Sequence, residues 1–435
     1  MTRSIKELSK KELAGKRVLV RVDFNVPQDS SGKITDDSRI KAALPTINYL
    51  MENEAKTILV SHLGRPKGKV VESMRMAPIA KRLGELIGQE VMKLEEAIGA
   101  DVSAKLGSLE NGKVALLENI RFYEGEEKND AGFAKSLSEL AELYVNDAFG
   151  TAHRAHASTQ GVTSYLSPAV AGLLMTSELE MLGTKLNNPE RPFTAIIGGS
   201  KVSSKIAVLK SLVKKVDTLI IGGGMAFTFL KAQGGQIGQS ICEDDHLDTA
   251  REIMSLADDF DTAIIIPEDS LCTSAEVNIF DECKPGDLIE TEVLGSRSIP
   301  ENKQGMDIGP KTREQFSKLI SQSRTVIWNG PVGVFEYDSF AEGTKACATA
   351  LAELTNRGGV TIIGGGDSVA ALEKFGIPKA SYTHVSTGGG ASLEFLEGKT
   401  LPGVACLDGY NREDSEDSGI KPSKSFKEEL KKASV

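Results

Sequence analysis

Residues 194–205 read TAIIGGSKVSSK. A β-rich apolar run, Thr194–Ile197, ends on two glycines, and two lysines four residues apart follow. A strand this apolar is buried on both faces, the mark of a parallel sheet covered by helices. Glycine directly after such a strand lets the backbone approach a ligand closely and turns amides toward phosphate at a helix start. On a helix, Lys201 and Lys205 lie one turn apart, so both ammonium groups can face one phosphate chain.

The pattern repeats on either side. Earlier runs are Val18–Val22, Thr57–Val60, Val114–Leu117 and Leu143–Val145. Later ones are Thr218–Ile221, Ala263–Ile266, Thr325–Trp328, Val360–Ile363 and Tyr382–Val385. Helical periodicity lies between them, as at Ala77–Ile87 and Ala131–Leu143. Alternation of this kind predicts an α/β protein, and the 435 residues fit two or three domains at roughly 150 each. We expect two doubly wound, Rossmann-like parallel-sheet domains joined by a helix, with a cleft between them. The joint falls at 177–188. Ser177 with Glu180 reads as a capping box, Leu179, Leu182 and Leu186 recur at helical spacing, and Asn187-Asn188-Pro189 stops the helix. The domains are then 1–176 and 189–404.

The net charge of −10 is uneven. Residues 1–190 hold 25 basic and 26 acidic residues, a net of −1, whereas 191–435 hold 26 and 35, a net of −9. Each part is expected to handle a different ligand. An acidic chain with one tryptophan does not read as a nucleic-acid binder. No apolar run approaches the roughly 18 residues of a membrane span. The five cysteines, Cys242, Cys272, Cys283, Cys347 and Cys406, are an odd, widely spaced set without a CxxC pair. That disfavours a disulfide scaffold or a zinc knuckle and favours a reducing compartment.

Ligands of open parallel sheets bind at the carboxyl ends of strands. In the first part those ends carry Asp23-Phe24-Asn25, His62-Leu63-Gly64-Arg65, Glu118-Asn119-Ile120-Arg121, and Asn146-Asp147 leading to His153-Arg154-Ala155-His156, with Arg39 joining them. Such a set suits a small polyanion, because guanidinium forks match carboxylate and phosphate oxygens. His153 and His156 lack an evident third ligand for a metal, so His156 reads as a packed or hydrogen-bonded residue.

In the second part the ends carry Gly198 to Lys205, Gly222-Gly223-Gly224, Asn329-Gly330-Pro331-Val332-Gly333, Gly364-Gly365-Gly366-Asp367-Ser368 and Gly388-Gly389-Gly390. Asp367 can hold Mg²⁺ beside phosphates or serve as a helix cap. There is no GxxxxGK[ST], no GxGxxG with a later ribose-binding acid, no GxSxG and no protein-kinase signature. The combination predicts a two-domain phosphotransferase. A basic first domain takes a small anionic acceptor, a glycine-rich second domain takes Mg-nucleotide, and closure brings them together away from water.

Nine strings in order carry a resemblance to the phosphoglycerate kinase family. They are RVDFNVP at 21–27, SHLGRP at 61–66, ENIRFYEGEE at 118–127, NDAFGTAHRAHAST at 146–159, GGSKVSSK at 198–205, GGGMAFTFL at 222–230, WNGPVGVFE at 328–336, GGGDS at 364–368 and STGGGASLEFLEGKTLPGV at 386–404. The resemblance implies reversible, Mg²⁺-dependent transfer between ATP and the carboxylate of 3-phosphoglycerate, giving 1,3-bisphosphoglycerate and ADP. A monomer is expected, with the cytosol as default compartment. It assigns Asp23, Phe24, Asn25, Arg39, His62, Gly64, Arg65, Arg121 and Arg154 to phosphoglycerate. It assigns Lys201, Lys205, Gly222, Asn329, Pro331, Glu336, Gly364, Gly365, Gly366, Asp367 and Ser368 to the nucleotide, with Glu336 at the ribose and Asp367 at the metal. Arg39, Lys201 and the amides of Gly388, Gly389 and Gly390 would stabilise the transferring phosphoryl group.

Ser200 and Ser368 stand where the family often has Ala and Thr. The chain also runs about 30 residues past Val404. By resemblance, the segment from about 405 returns to the first domain. Residues 411–435 are polar enough to be disordered, the alternative being a short docked helix at Ser423–Ser434. The rival readings are an NAD-dependent α/β dehydrogenase, a two-lobed binding protein without catalysis and, for compartment, a mature organellar form.

Overall fold

The computed structural model describes residues 2–275, 277 and 289–410. The expected tail at 411–435 and Cys283 lie outside them. The chain divides into two compact units, one built on residues up to Glu180 with the chain returning from Lys399, the other spanning Met181–Gly398.

The strands of the first unit are β1 (Arg17–Arg21), β2 (Lys56–Val60), β3 (Met92–Lys93), β4 (Val114–Leu116), β5 (Leu143–Asn146) and β6 (Ala169–Ala171). They form one sheet in the order β3-β4-β2-β1-β5-β6, every pair parallel. Val18, Val20, Leu59, Val114 and Val145 are buried with Ile40, Ile47 and Leu50 from the helix Ser38–Glu52. The helix Ala77–Ile87 opens with Pro at its start and stops at Gly88, whose φ of 69° is left-handed.

The second unit contains β7 (Phe193–Ile197), β8 (Thr218–Ile221), β9 (Gln236–Ile237), β10 (Ala263–Ile265), β11 (Asp269–Thr273), β12 (Glu292–Gly295), β13 (Ser298–Ile299), β14 (Gln304–Ile308), β15 (Thr325–Asn329), β16 (Val360–Gly364) and β17 (His384–Val385). Its main sheet is parallel, in the order β10-β8-β7-β15-β16-β17. Ile196, Ile220, Val326, Trp328 and Ile363 pack against Phe316, Ile320, Leu351 and Leu354 from the helices Pro310–Gln322 and Glu342–Asn356. An antiparallel sheet β12-β11-β14 and the pair β13-β9 add to it. Sequence periodicity did not predict these strands, because several are short, polar or half-exposed.

Two sheet orders reverse direction at β1/β5 and β7/β15. These are the switch points, where loops leave in opposite directions and a crevice opens at the carboxyl ends.

The joining helix differs from expectation. It starts at Leu173, four residues before Ser177, and passes into a π-helical stretch at Glu180–Lys185. Its first amides are capped from afar. Asp147 Oδ1 accepts from Leu174 N at 2.9 Å and Met175 N at 3.2 Å, and Thr46 Oγ1 accepts from Leu173 N at 2.8 Å. Ser177 therefore sits inside the helix. The return to the first unit also comes earlier than residue 405: Gly403 O accepts from Asn146 Nδ2 at 2.8 Å, and Gly403 N donates to Ala152 O at 2.8 Å. Among the described residues no helix is long and apolar enough to cross a membrane.

Candidate active site

In the first unit the carboxyl ends of β1, β2 and β4 converge on His62, which follows β2 and is buried. Burial is the main cause that pushes its pKa well below the usual value, and the charges of Arg21, Arg121, Arg39 and Arg154 push it the same way. Four guanidinium charges thus act on one neutral imidazole, whose Nδ1 also lies 3.9 Å from Asp23 Oδ1. Arg39 Nη1, on the helix Ser38–Glu52, donates to Asp23 Oδ2 at 2.7 Å, and the other oxygen of Asp23 accepts from Asn25 N at 3.1 Å. Asn25 Oδ1 accepts from Gly64 N at 2.8 Å. Gly64 O accepts from Arg121 Nη1 at 2.9 Å. Gly64 has φ 63°, and a Cβ there would meet Met74 Sδ at 2.8 Å, so this turn requires glycine. Phe24 is buried, its amide donating to Ser61 Oγ at 2.8 Å. Arg154 Nε donates to His153 Nε2 at 3.1 Å. Arg65 is exposed on the loop.

Sequence reasoning gave no role to Arg21, the last residue of β1, although it is only 1% exposed. Its Nε donates to Ser158 Oγ at 2.8 Å, and its Nη2 lies 3.2 Å from His62 Nδ1. Ser158 in turn gives its hydroxyl and its amide to the buried Glu126, at 2.6 Å and 2.8 Å. Burial raises the Glu126 pKa, opposed by Arg21 and by these bonds. The usable signal was an arginine at the end of a run whose neighbours are all apolar, since a charge is rarely buried unless paired. His156 packs here too, 3.8 Å from Glu126, its pKa pushed down to about 4, first by burial and then by Arg121, Arg21 and Arg154.

In the second unit Lys205 spans the switch point. Its ammonium donates to Asn329 O at 3.0 Å and also to Asn329 Oδ1, joining the exits of β7 and β15. Burial pushes its pKa down to about 8, and the Asp367 charge opposes that shift. Asp367 is exposed in the first turn of the helix Gly366–Lys374, just past β16 and the turn at Gly364, Gly365 and Gly366. Ser368, beside it, is buried and accepts from Gly330 N at 2.7 Å. Pro331 O accepts from Gly199 N at 3.0 Å. Gly222 lies against Val332, where a Cβ would come within 2.5 Å of Val332 Cγ1. Glu336 is exposed, and its carbonyl accepts from Lys374 Nζ at 2.8 Å.

Two details correct the sequence picture. Lys201 and Lys205 do not share a helix. They lie on a turn closed by Lys205 N to Val202 O at 2.8 Å, and the helix runs Ile206–Val213. Glu243 holds that turn by accepting from the amide and hydroxyl of Ser203 at 2.9 Å and 2.6 Å. Lys201 is exposed on it. Of the three amides at Gly388–Gly390, that of Gly388 donates to Ser386 Oγ at 3.1 Å, while Gly389 and Gly390 stand at the start of the helix Gly390–Leu396.

No cluster of three His, Cys, Asp or Glu side chains suited to a metal occurs among the described residues. Mg²⁺ does not need one. It binds commonly through one or two carboxylates plus substrate phosphates, and an exposed Asp367 beside the glycine turn fits that donor set.

The family model for phosphoglycerate kinase matches residues 8–399. A phosphoglycerate kinase of Synechococcus elongatus is 56% identical over 406 residues, covering 93% of this chain and 98% of its own. That of Acaryochloris marina is 54% identical over 409 residues, covering 93% and 99%. Among solved structures, the phosphoglycerate kinase of Coxiella burnetii superposes with a TM-score of 0.82 at 42% identity, covering 94% of this chain and 99% of that one. The Pyrococcus horikoshii enzyme does so with a TM-score of 0.76 at 32% identity, covering 94% and 98%. Two parallel α/β units, an arginine-rich strand-end site and these matches lead to one assignment: the chain belongs to the phosphoglycerate kinase family.

Proposed function

We propose that the protein catalyses reversible phosphoryl transfer between ATP and the carboxylate of 3-phosphoglycerate, giving 1,3-bisphosphoglycerate and ADP. Family membership supports the class, a phosphotransferase with a carboxyl acceptor. The observation that carries the substrate reading is the set of Arg21, Arg39, Arg121 and Arg154 whose charges act on buried, neutral His62 at the strand ends. A dianionic phosphate with a carboxylate matches that charge, and His62 adds a donor without adding charge.

In the forward direction a carboxylate oxygen of phosphoglycerate attacks the γ-phosphorus. The bond from that phosphorus to the β,γ-bridging oxygen breaks, and its electron pair leaves with ADP. The attacking carboxylate is already ionised at neutral pH, so no general base is required. The work left to the protein is positioning and charge neutralisation. Arg39, Arg121 and Arg154 orient the acceptor, with Asp23 and Asn25 setting Arg39 and the Gly64 turn. Lys205, Lys201 and the strand-end glycines hold the phosphates, and Arg39 with Lys201 offsets the charge of the transferring group. Asp367 would hold Mg²⁺ brought with the nucleotide, and the ion would supply further neutralisation of phosphate charge. Transfer joins ligands held on separate units, so the reaction calls for hinge closure around them.

We read the protein as a cytoplasmic monomer acting on sugar-acid phosphates. The exposed large apolar side chains among the described residues are Val70, Tyr165, Ile241 and Val293, two on each unit, which favours a monomer. The test is a coupled assay with ATP, Mg²⁺ and 3-phosphoglycerate. Turnover that requires all three is expected, and a rate no higher than background would sink the reading.

A further inference from the structure

Asp307 is a carboxylate with no part in the reaction above. It lies near the end of β14, 4% exposed. Its Oδ2 accepts from Gly343 N at 2.7 Å, in the first turn of the helix Glu342–Asn356. Its Oδ1 has no hydrogen-bond partner among the described residues. Two glycines leave room for it: a Cβ at Gly333 would fall 2.0 Å from Oδ1, and one at Gly343 would fall 2.2 Å from it. Burial pushes its pKa up to about 7, against the Gly343 amide and the charge of Arg313, while Glu342 adds to the rise.

The helix start that Asp307 holds is connected to the nucleotide side. Thr344, next after Gly343 and fully buried, accepts from Val332 N through Oγ1 at 3.2 Å. Val332 O accepts from Gly223 N at 3.0 Å. Val334 N donates to Met306 O at 2.9 Å, beside Asp307. One carboxylate thus lies behind the Gly330–Phe335 loop, tied through three hydrogen bonds to the strand-end glycine at Gly223. A neutral cap would serve helix stability without the cost of burying a charge. A buried carboxylate that breaks this local rule is better explained by what it positions.

We propose that Asp307 is a positioning residue for nucleotide binding. It fixes the start of the helix Glu342–Asn356, so that Thr344 sets the Val332 amide and with it the loop facing the turns at Gly198–Gly199 and Gly222–Gly223. The inference rests on the reading that these strand ends hold the nucleotide.

The experiment measures MgADP and 3-phosphoglycerate binding by calorimetry, and KM and kcat, for wild type, Asp307→Ala, Asp307→Asn, Thr344→Val and Thr344→Ser, with Tm alongside. Loss of one buried hydrogen bond is expected to weaken MgADP about tenfold in Asp307→Ala and Thr344→Val. Phosphoglycerate affinity should stay within about twofold and kcat should change less than the ATP KM. Asp307→Asn, which keeps an acceptor for Gly343 N, and Thr344→Ser, which keeps the hydroxyl, should recover most of the loss. Unchanged MgADP affinity in the variants that fold, or equal loss of both ligands, would overturn the proposal. Should Asp307→Ala fail to fold, the Thr344 pair decides by the same criteria. Wild-type protein that takes up no MgADP would overturn the nucleotide reading itself, and this proposal with it.

Discussion

Arg21 Nη2 lies 3.2 Å from His62 Nδ1, and both residues are buried at the carboxyl ends of neighbouring strands. A guanidinium only donates, so His62 Nδ1 accepts and the imidazole proton is on Nε2. Burial and four arginines keep the ring neutral. His62 can therefore offer an Nε2–H donor to an anionic ligand. Imidazole ¹⁵N NMR of the free protein should show the neutral Nε2–H form at pH 6.5, where an ordinary histidine is about half protonated. Removing the Arg21 charge with Arg21→Met should move the titration upward. A His62 that is half protonated at that pH in wild type would refute the assignment.

Arg39 should affect the rate more than the stability. Its pairing with Asp23 at 2.7 Å leaves its side chain 38% exposed, and such pairs contribute about 1 kcal/mol at most. Loss of a group that stabilises charge in the transition state costs about 10²-fold or more in kcat. Arg39→Ala is thus expected to lower kcat by about that factor with little change in Tm. Near-wild-type kcat would remove Arg39 from the reacting centre.

Arg154 should behave differently. Its Nε donates to His153, and its charge is one of the four that lower the His62 pKa. Arg154→Ala is expected to raise the KM for 3-phosphoglycerate while kcat changes little, as for a contact made equally in ground and transition states. A fall in kcat at constant KM would exclude an anchoring role.

The parts of this molecule that were legible in sequence are those where local chemistry and fold agree. Most apolar runs became buried parallel strands with polar exits that carry Asp23, His62, Arg121, Asn329 and Asp367, whereas Ala263–Ile266 and Tyr382–Val385 gave the half-exposed edge strands β10 and β17. What could not be read depends on partners distant in sequence. The joining helix starts at Leu173 because Asp147 and Thr46 cap it, 27 and 127 residues away, and no local signal encodes that. The lysine-bearing turn after β7 is held by Glu243, 40 residues on, so the helical spacing of Lys201 and Lys205 was misleading. Arg21 lay within a quoted motif, yet its role emerges only when Ser158 and Glu126 close around it.

Asp147 provides a pH test of that distant cap. It is fully buried, and burial raises its pKa from 3.8 to about 6 despite the amides of Leu174 and Met175. Its folded pKa therefore lies above its unfolded value. Between those two values the folded chain binds more protons than the unfolded one, so stability falls as pH rises. The contribution is fully present below pH 3.8 and is lost through about pH 6. The difference corresponds to at most about 3 kcal/mol. Asp147→Asn keeps an oxygen acceptor for the helix amides and does not titrate. Relative to wild type, the variant should gain stability between about pH 4 and pH 7, a change that denaturant midpoints at the two values would register. A difference independent of pH would mean that Asp147 titrates alike in the folded and unfolded chain, and that the start of the joining helix is not held by a carboxyl group strained by burial.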